Sequence, residues 1–114
     1  LPVEQTTEDI KPVVIVLIHA EWCGHCKTLQ PEWDIMEKSL SDNEKQNIAF
    51  EEIEHADLDN KLPIVCKKYM NGKTLTHAGF PTIGNIENGE FIQYGGGRTS
   101  NDLLDWIRGL LPKI

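Results

Sequence analysis

Residues 13–27 contain the feature that restricts the possible folds of this chain most: an apolar segment that runs into two closely spaced cysteines and then into a helix. Segment 13–18 reads VVIVLI, a continuous β-branched run typical of a strand covered on both faces. Cys23 and Cys26 follow within the sequence WCGHCK. Apolar residues then recur every three or four positions, which predicts one buried stripe on an amphipathic helix. The members of the stripe are Cys26, Leu29, Trp33, Met36 and Leu40.

The stripe predicts different positions for the two cysteines. Cys26 lies on the side of the helix that faces the core, whereas Cys23 lies at or before the first helical turn. The N-terminus of a helix presents unpaired N–H groups and about half a positive charge, which stabilise a thiolate. A protonated His25 would add to this effect. Cys23 is therefore predicted to form the attacking thiolate, and Cys26 to resolve the mixed disulfide that results.

Three interpretations of the cysteine pair are possible: a redox-active pair, half of a metal site, or a structural disulfide. A structural zinc site needs four ligands at recognisable spacing, and the sequence contains no second CxxC and no HxxxH. A CxxC between a buried strand and a helix favours redox chemistry. Gly24 would permit close approach of the sulfurs and leave room for a substrate chain, and Trp22 would supply an apolar surface beside them. No metal and no cofactor are predicted, because the cysteines themselves carry the electrons.

Size and charge narrow the class of protein. The chain has 114 residues, which predicts a single domain over 1–114 with a core at about 13–111. Its formal net charge of −7 argues against nucleic acid as a partner. No apolar run approaches the ~18 residues that a membrane span needs. Three cysteines do not make a disulfide-dense scaffold, and an odd number leaves one thiol unpaired.

The rest of the chain predicts further strands and helices in the order β, α, β, β, α. These segments are 48–54, 59–70, 81–86, 90–94 and a last helix from near Ser100. Asn88 and Gly89 predict a two-residue hairpin of the primed type. Segment 71–79 is expected to be a loop. The whole order describes a βαβ unit followed by a ββα unit, a sheet with helices packed on its faces.

Three separated motifs, WCGHCK, GFPT and GGGRT, occur in this order along the chain. Together they resemble the thioredoxin superfamily over roughly residues 13–111, and most closely the catalytic a-type domains of protein disulfide isomerases. The resemblance implies an α/β, thioredoxin-like fold with a central mixed β-sheet flanked by helices. Only 22 residues precede Cys23, so the N-terminal β-α unit is expected to be shortened.

The resemblance also implies residue roles. Cys23 would be the nucleophile and Cys26 the resolving thiol. Pro81 would be a cis-proline facing the disulfide, and the backbone of Phe80 would pair with substrate peptide. Arg98 matches an arginine that assists deprotonation of the buried cysteine, although a surface arginine that caps the loop is an equal alternative.

One departure from the family concerns proton transfer. The family places a buried acid six residues before the nucleophile, where this chain has Leu17. That acid normally relays protons to and from the buried cysteine, so Arg98, His25 or water would have to compensate. Slower resolution by Cys26 is the expected consequence. Segment 71–79 is longer than the usual turn and would reshape the substrate groove.

Several other side chains are predicted to have no part in the chemistry. Cys66 is expected in the core on an apolar helix face, and His19 at the end of the first strand. His55 and His77 are expected to be solvated loop residues. The acidic cluster at positions 51, 52 and 54 is expected to form a charged, solvated strand end.

The sequence therefore predicts a thiol–disulfide oxidoreductase or isomerase that acts on protein disulfides through Cys23 and Cys26. A thioredoxin-like reductase of a reducing compartment and a weakly active substrate-binding module are the alternatives. The expected partners are protein substrates and a redox partner, namely glutathione, an oxidase or a reductase. A monomer in the endoplasmic reticulum lumen or another secretory compartment is expected, with the cytoplasm as the alternative.

Overall fold

A computed structural model describes residues 11–77 and 79–112 of the chain. Strands and helices alternate along it, joined by short loops. The elements are β1 (Val13–His19), α1 (Gly24–Ser39), α2 (Asp42–Gln46), β2 (Ile48–Glu54), a 3-10 turn (His55–Asp57), α3 (Leu58–Met70), β3 (Thr82–Glu87), β4 (Glu90–Gln93) and α4 (Ser100–Leu110). The predicted shortening of the N-terminal β-α unit concerns residues that lie outside the described part.

The strands form one mixed sheet in the order β2-β1-β3-β4. β1 is parallel to β2 and antiparallel to β3, and β4 is antiparallel to β3. The predicted mixed α/β architecture is therefore confirmed. In this register Leu17 lies opposite Glu52 of β2 on one side and Ile83 of β3 on the other.

Side chains of β1 are buried on both faces of the sheet, as its continuous apolar sequence predicts. Ile15 and Leu17 belong to a core cluster that includes Trp33 of α1 and Ile107 of α4. Val16 and its even-numbered neighbours belong to a second cluster, on the opposite face, that includes residues of α3. β1 is thereby held by packing on both of its faces.

Local sequence signals fix several element ends. Asn88 has a φ of 55° and Gly89 a φ of 78°, which is the conformation of the primed hairpin that their sequence predicts. The Thr99 hydroxyl accepts a hydrogen bond from the backbone N–H of Asp102 over 3.1 Å and caps α4. Within the described residues, no helix is both long and apolar enough to cross a membrane.

The short helix α2 was not predicted. Its five residues are too few to show an apolar stripe, and none of them is buried. A capping box marks its start, in which Ser41 and Glu44 each accept a hydrogen bond from the other's backbone N–H. This capping pattern was the available sequence signal.

Candidate active site

Cys23 is the N-cap residue of α1, with extended backbone angles (φ −89°, ψ 120°). Its sulfur accepts a hydrogen bond from the backbone N–H of Cys26 over 3.4 Å. Its own N–H donates to the carbonyl of Ala20 over 3.1 Å, which closes the turn between β1 and α1. The thiol of Cys23 thus occupies the position where the helix presents its unpaired N–H groups.

A second segment approaches Cys23 from the loop before β3. The Cys23 thiol donates to the carbonyl of Phe80 over 3.4 Å. The Phe80–Pro81 peptide bond is cis, as the resemblance implies, and Pro81 is buried. The Thr82 hydroxyl donates to the carbonyl of Gly79 over 2.6 Å. The loop therefore turns the Phe80 carbonyl toward the sulfur rather than toward solvent.

Both thiols of the pair are free and screened from solvent to nearly the same extent, with 8% of Cys23 and 6% of Cys26 exposed. The sequence predicts an accessible Cys23 above a buried Cys26. The structure differs because Ala20, Cys26 and the ring of Phe80 pack against Cys23. Space remains on one side, since a Cβ added at Gly24 would meet no atom within 4 Å. Crowding is therefore not the reason for a glycine at that position.

The two thiols have opposite pKa shifts. The pKa of Cys23 is lowered, chiefly by a side-chain hydrogen bond with Cys26, and further by the backbone of Cys26 and His25 and the charge of Arg98. The pKa of Cys26 is raised, chiefly by burial and also by Cys23, while Arg98 opposes the increase. Deprotonation at this site therefore begins at Cys23.

Arg98 and His25 lie on the same side of the cysteine pair, where they line a cavity of about 420 Å³ with Glu32. The Glu32 carboxylate accepts a hydrogen bond from the backbone N–H of Ser100 over 2.7 Å. This bond ties α1 to the first residue of α4 and so places the preceding Arg98 beside the cysteines. The structure brings together all the residues to which the sequence assigns catalytic roles.

Leu17 stands where the resemblance expects a buried acid, and it is 1% exposed within the apolar core. The neighbouring strand carries Glu52 directly opposite Leu17. Glu52 accepts a hydrogen bond from Nε1 of Trp33 over 3.1 Å. The pKa of Glu37 is raised to about 7 by burial and by the Glu52 carboxylate.

The acidic cluster of β2 is not simply a solvated strand end, contrary to the prediction. Each carboxylate accepts a hydrogen bond from a particular donor. Glu51 accepts from the Tyr69 hydroxyl over 2.6 Å, and Glu52 accepts from Trp33. Glu54 accepts from the backbone N–H of Ala56 over 2.9 Å and from that of Glu21 over 3.2 Å. These bonds fasten the sheet to α1, α3 and the loop before Cys23.

Two histidines that the sequence places in solvated loops contact the site. The ring centroid of His55 lies 5.6 Å from that of Trp22 and 5.3 Å from that of Phe80. Trp22 and Phe80 are 5.5 Å apart, so the three rings contact one another. His77 lies 5.9 Å from Phe80. No sequence motif marks these histidines, because the contacts join three separate segments of the chain.

Comparisons with known proteins agree with this geometry. The family model described as Thioredoxin matches residues 3–109. Protein disulfide-isomerase A6 of Mus musculus is 33% identical over 84% of this chain, and protein disulfide-isomerase A4 of Mus musculus is 29% identical over 86%. The chain spans 20% and 14% of the lengths of these two relatives.

A solved structure provides the corresponding likeness of fold. The first thioredoxin domain of mouse protein disulfide-isomerase A4 has a TM-score of 0.64 and 26% identity, and the match covers 98% of this chain and 72% of that one. The chain belongs to the thioredoxin family and is homologous to domains of the protein disulfide-isomerases.

Proposed function

We propose that this chain forms one thioredoxin-like domain that catalyses thiol–disulfide exchange on protein substrates, in the manner of a protein disulfide isomerase. One observation carries the proposal: Cys23 caps α1 and has a lowered pKa, while Cys26, one turn further along, has a raised one. A nucleophile and a resolving thiol need this difference. The Cys23 thiolate attacks first, and the Cys26 thiol stays protonated until the resolving step.

The exchange begins when the Cys23 thiolate attacks one sulfur of a substrate disulfide. A bond forms between Cys23 and that sulfur, the substrate disulfide breaks, and the other substrate sulfur leaves as a thiolate. Cys26 then loses its proton and attacks Cys23, which releases the second substrate thiol. The substrate has gained two electrons, and Cys23 and Cys26 have become a disulfide. Oxidation of a substrate dithiol is the same sequence in reverse.

Residues around the pair have proposed roles in these steps. The charge of Arg98 favours the thiolate form of both cysteines and so assists resolution. His25, between them, is exposed and adds to the stabilisation of the thiolate. Trp22, which is 66% exposed, and Phe80 bind the substrate chain, and the buried Pro81 holds the Phe80 carbonyl at the pair.

Activity assays with matched cysteine variants test this proposal. The domain should reduce insulin and refold a protein with scrambled disulfides. Cys23→Ser should abolish both activities. Cys66→Ser should preserve them, because Cys66 is a free, buried thiol on α3. Equal activity of wild type and Cys23→Ser would exclude disulfide chemistry, and binding of unfolded protein without turnover would favour the substrate-binding module.

The direction of the reaction depends on the redox potential. A stabilised thiolate favours the dithiol form, so the disulfide is the stronger oxidant. We place the potential nearer to that of protein disulfide isomerase, about −180 mV, than to that of thioredoxin, about −270 mV. Equilibration with glutathione buffers measures it. A value near thioredoxin's would support reductase work in a reducing compartment instead.

The setting of the domain follows from the same proposal. An isomerase-like potential suits the endoplasmic reticulum lumen or another secretory compartment. Glutathione or a dedicated oxidase would reoxidise the cysteine pair there. The domain would act as a monomer. Fractionation of cells that express the full-length protein tests the compartment, and sedimentation tests the oligomeric state.

A further inference from the structure

An aromatic and imidazole surface adjoins the cysteine pair. It consists of the rings of Trp22, His55, Phe80 and His77, which we call the ring cluster. Phe80 is its centre, because it contacts each of the other three rings. The carbonyl of the same residue accepts a hydrogen bond from the Cys23 thiol. A peptide whose cysteine reaches Cys23 must therefore place its neighbouring side chains against the ring cluster.

The ring cluster continues into a groove away from the cysteines. His77 lines a groove of about 560 Å³ between α3 and the loop at 71–77. Leu62 and Pro63 form part of its apolar wall, and Asp59 and Lys73 its charged part. The groove thus extends the substrate surface rather than forming a separate site.

Most charged groups around the ring cluster keep a constant charge near neutral pH. The pKa of Glu54 is lowered by the backbone N–H of Ala56 and by further groups that include His19 and His55, so this carboxylate remains ionised. The next acid along the chain, Asp57, is paired with Lys61 at 3.8 Å.

Other charged side chains lie near the ring cluster. Asp59 and Lys73 carry opposite charges on the groove at His77. Glu21 follows the end of β1, and Arg98 lies beyond the cysteines with His25. Unperturbed carboxylates, lysines and arginines keep their charges between about pH 5.5 and about pH 8, whereas imidazoles do not.

We propose that His55 and His77 are specificity-determining residues that favour acidic over basic side chains beside the substrate cysteine, increasingly as pH falls from about 8 to about 5.5. This inference rests on the proposed function, because it assigns a substrate preference to the same site. Protonation places positive charge on two rings of the cluster, next to the path of the substrate chain. An acidic side chain then gains an attraction, and a basic one a repulsion.

Two peptides that differ only at the residue after cysteine, Asp in one and Lys in the other, provide the test. Each is supplied as a mixed disulfide with a chromogenic aromatic thiol. The Cys23 thiolate attacks the peptide sulfur, the aromatic thiolate leaves, and its absorbance gives the rate constant of one turnover. The ratio of the two rate constants cancels the ionised fraction of Cys23, because both peptides meet the same thiol.

The wild-type Asp-to-Lys ratio should rise about tenfold between about pH 8 and about pH 5.5, with a contribution of about threefold from each imidazole. His55→Gln and His77→Gln should each remove one threefold contribution to this rise. The double variant should remove most of the rise. His19→Gln is the matched control and should retain it, since His19 ends β1 outside the ring cluster. Circular dichroism of each variant checks that it is folded.

A ratio that does not change with pH in the wild type, or that changes equally in the double variant, would overturn the inference. A binding measurement separates this failure from failure of the proposed function. The same peptides are prepared with Ser in place of Cys, and their binding is monitored through the NMR signals of the His55 and His77 rings. If no Cys23-dependent release occurs, the function is wrong. The ratio of binding constants then decides the substrate preference by the same criteria.

Discussion

Cys23 and Cys26 have nearly equal exposure to solvent but opposite pKa shifts. Hydrogen bonds with the Cys26 side chain and with the backbone of the first helical turn lower the pKa of Cys23. Burial raises the pKa of Cys26, which lies further along α1. A difference of one helical turn therefore assigns the two chemical roles.

Arg98 should affect the second step of the exchange more than the first. Its charge opposes the raised pKa of Cys26, and no acid occupies position 17 to take the proton. Arg98→Gln should therefore slow release of a mixed disulfide held at Cys23 by about threefold, measured by quenched-flow mass spectrometry. Arg98→Lys keeps the charge and should restore most of the rate. Equal rates in wild type and Arg98→Gln would assign Arg98 to loop structure alone.

Glu37 should make stability depend on pH near neutrality. Its folded pKa is raised from 4.5 to about 7, so the folded state binds a proton there that the unfolded state has lost. The stabilising contribution is complete below the unfolded value and is lost as pH rises through about 7. Allowing for partial exposure, the wild type should lose about 1 kcal/mol between about pH 5 and about pH 8.

Urea unfolding of Glu37→Gln against the wild type measures this loss. The variant carries no charge at position 37, so its free energy of unfolding should vary less over the same pH range. Glu44→Gln provides a control of opposite sign, since hydrogen bonds with Arg108 lower the pKa of Glu44. If the free energy of unfolding depends on pH in the same way in wild type and Glu37→Gln, the carboxyl pair of Glu37 and Glu52 is not the source of that dependence.

Glycines at two positions show how packing within an element decides the effect of a substitution. Gly84 lies in β3, where an added Cβ would overlap the Ile92 carbonyl and the Phe91 ring of β4. Gly109 lies in α4, where an added Cβ meets nothing within 4 Å. The same change to alanine should therefore have opposite consequences.

Gly84→Ala should lower the free energy of unfolding by about 1–3 kcal/mol, because β4 must shift away from β3. Gly109→Ala should raise it by about 0.5 kcal/mol, because alanine loses less backbone freedom in a helix. Guanidinium unfolding monitored by circular dichroism measures both. A neutral Gly84→Ala would mean that the β3–β4 contact adapts without cost.

At the scale of the whole molecule, the stability of the dithiol form relative to that of the disulfide form should increase with pH. The Cys23 thiolate is stabilised in the folded state but not in the unfolded chain, and oxidation removes it. A lowered folded pKa contributes stability that is present above the unfolded pKa and is lost as pH falls through the folded value.

Thermal unfolding of the reduced and oxidised protein measures this difference. The midpoint of the reduced form should fall relative to that of the oxidised form as pH is lowered through the folded pKa of Cys23. The raised pKa of Cys26 opposes the effect in more alkaline solution. Cys23→Ser removes both the thiolate and the disulfide and should show no dependence on redox conditions. A difference between the two midpoints that does not change with pH would contradict a stabilised Cys23 thiolate.

Short-range patterns of the sequence were sufficient to predict the strand–CxxC–helix junction, the two-sided burial of β1 and the Asn88–Gly89 hairpin. Each depends on residues within a few positions of one another, where periodicity and backbone preferences act directly. The resemblance of three motifs to the thioredoxin superfamily predicted the thioredoxin-like architecture and the cis bond before Pro81. The five-residue α2 was missed because it buries no side chain.

Long-range contacts decided the side-chain neighbours of the site, which the sequence did not predict. The rings of Trp22, His55, Phe80 and His77 meet only after β1, β2 and the loop before β3 have been brought to one end of the sheet. The carboxylates of β2 receive donors from α1 and α3, and Cys23 is covered by a residue 57 positions away. Side-chain neighbours of this kind depend on the packing of separate elements, which no local pattern records.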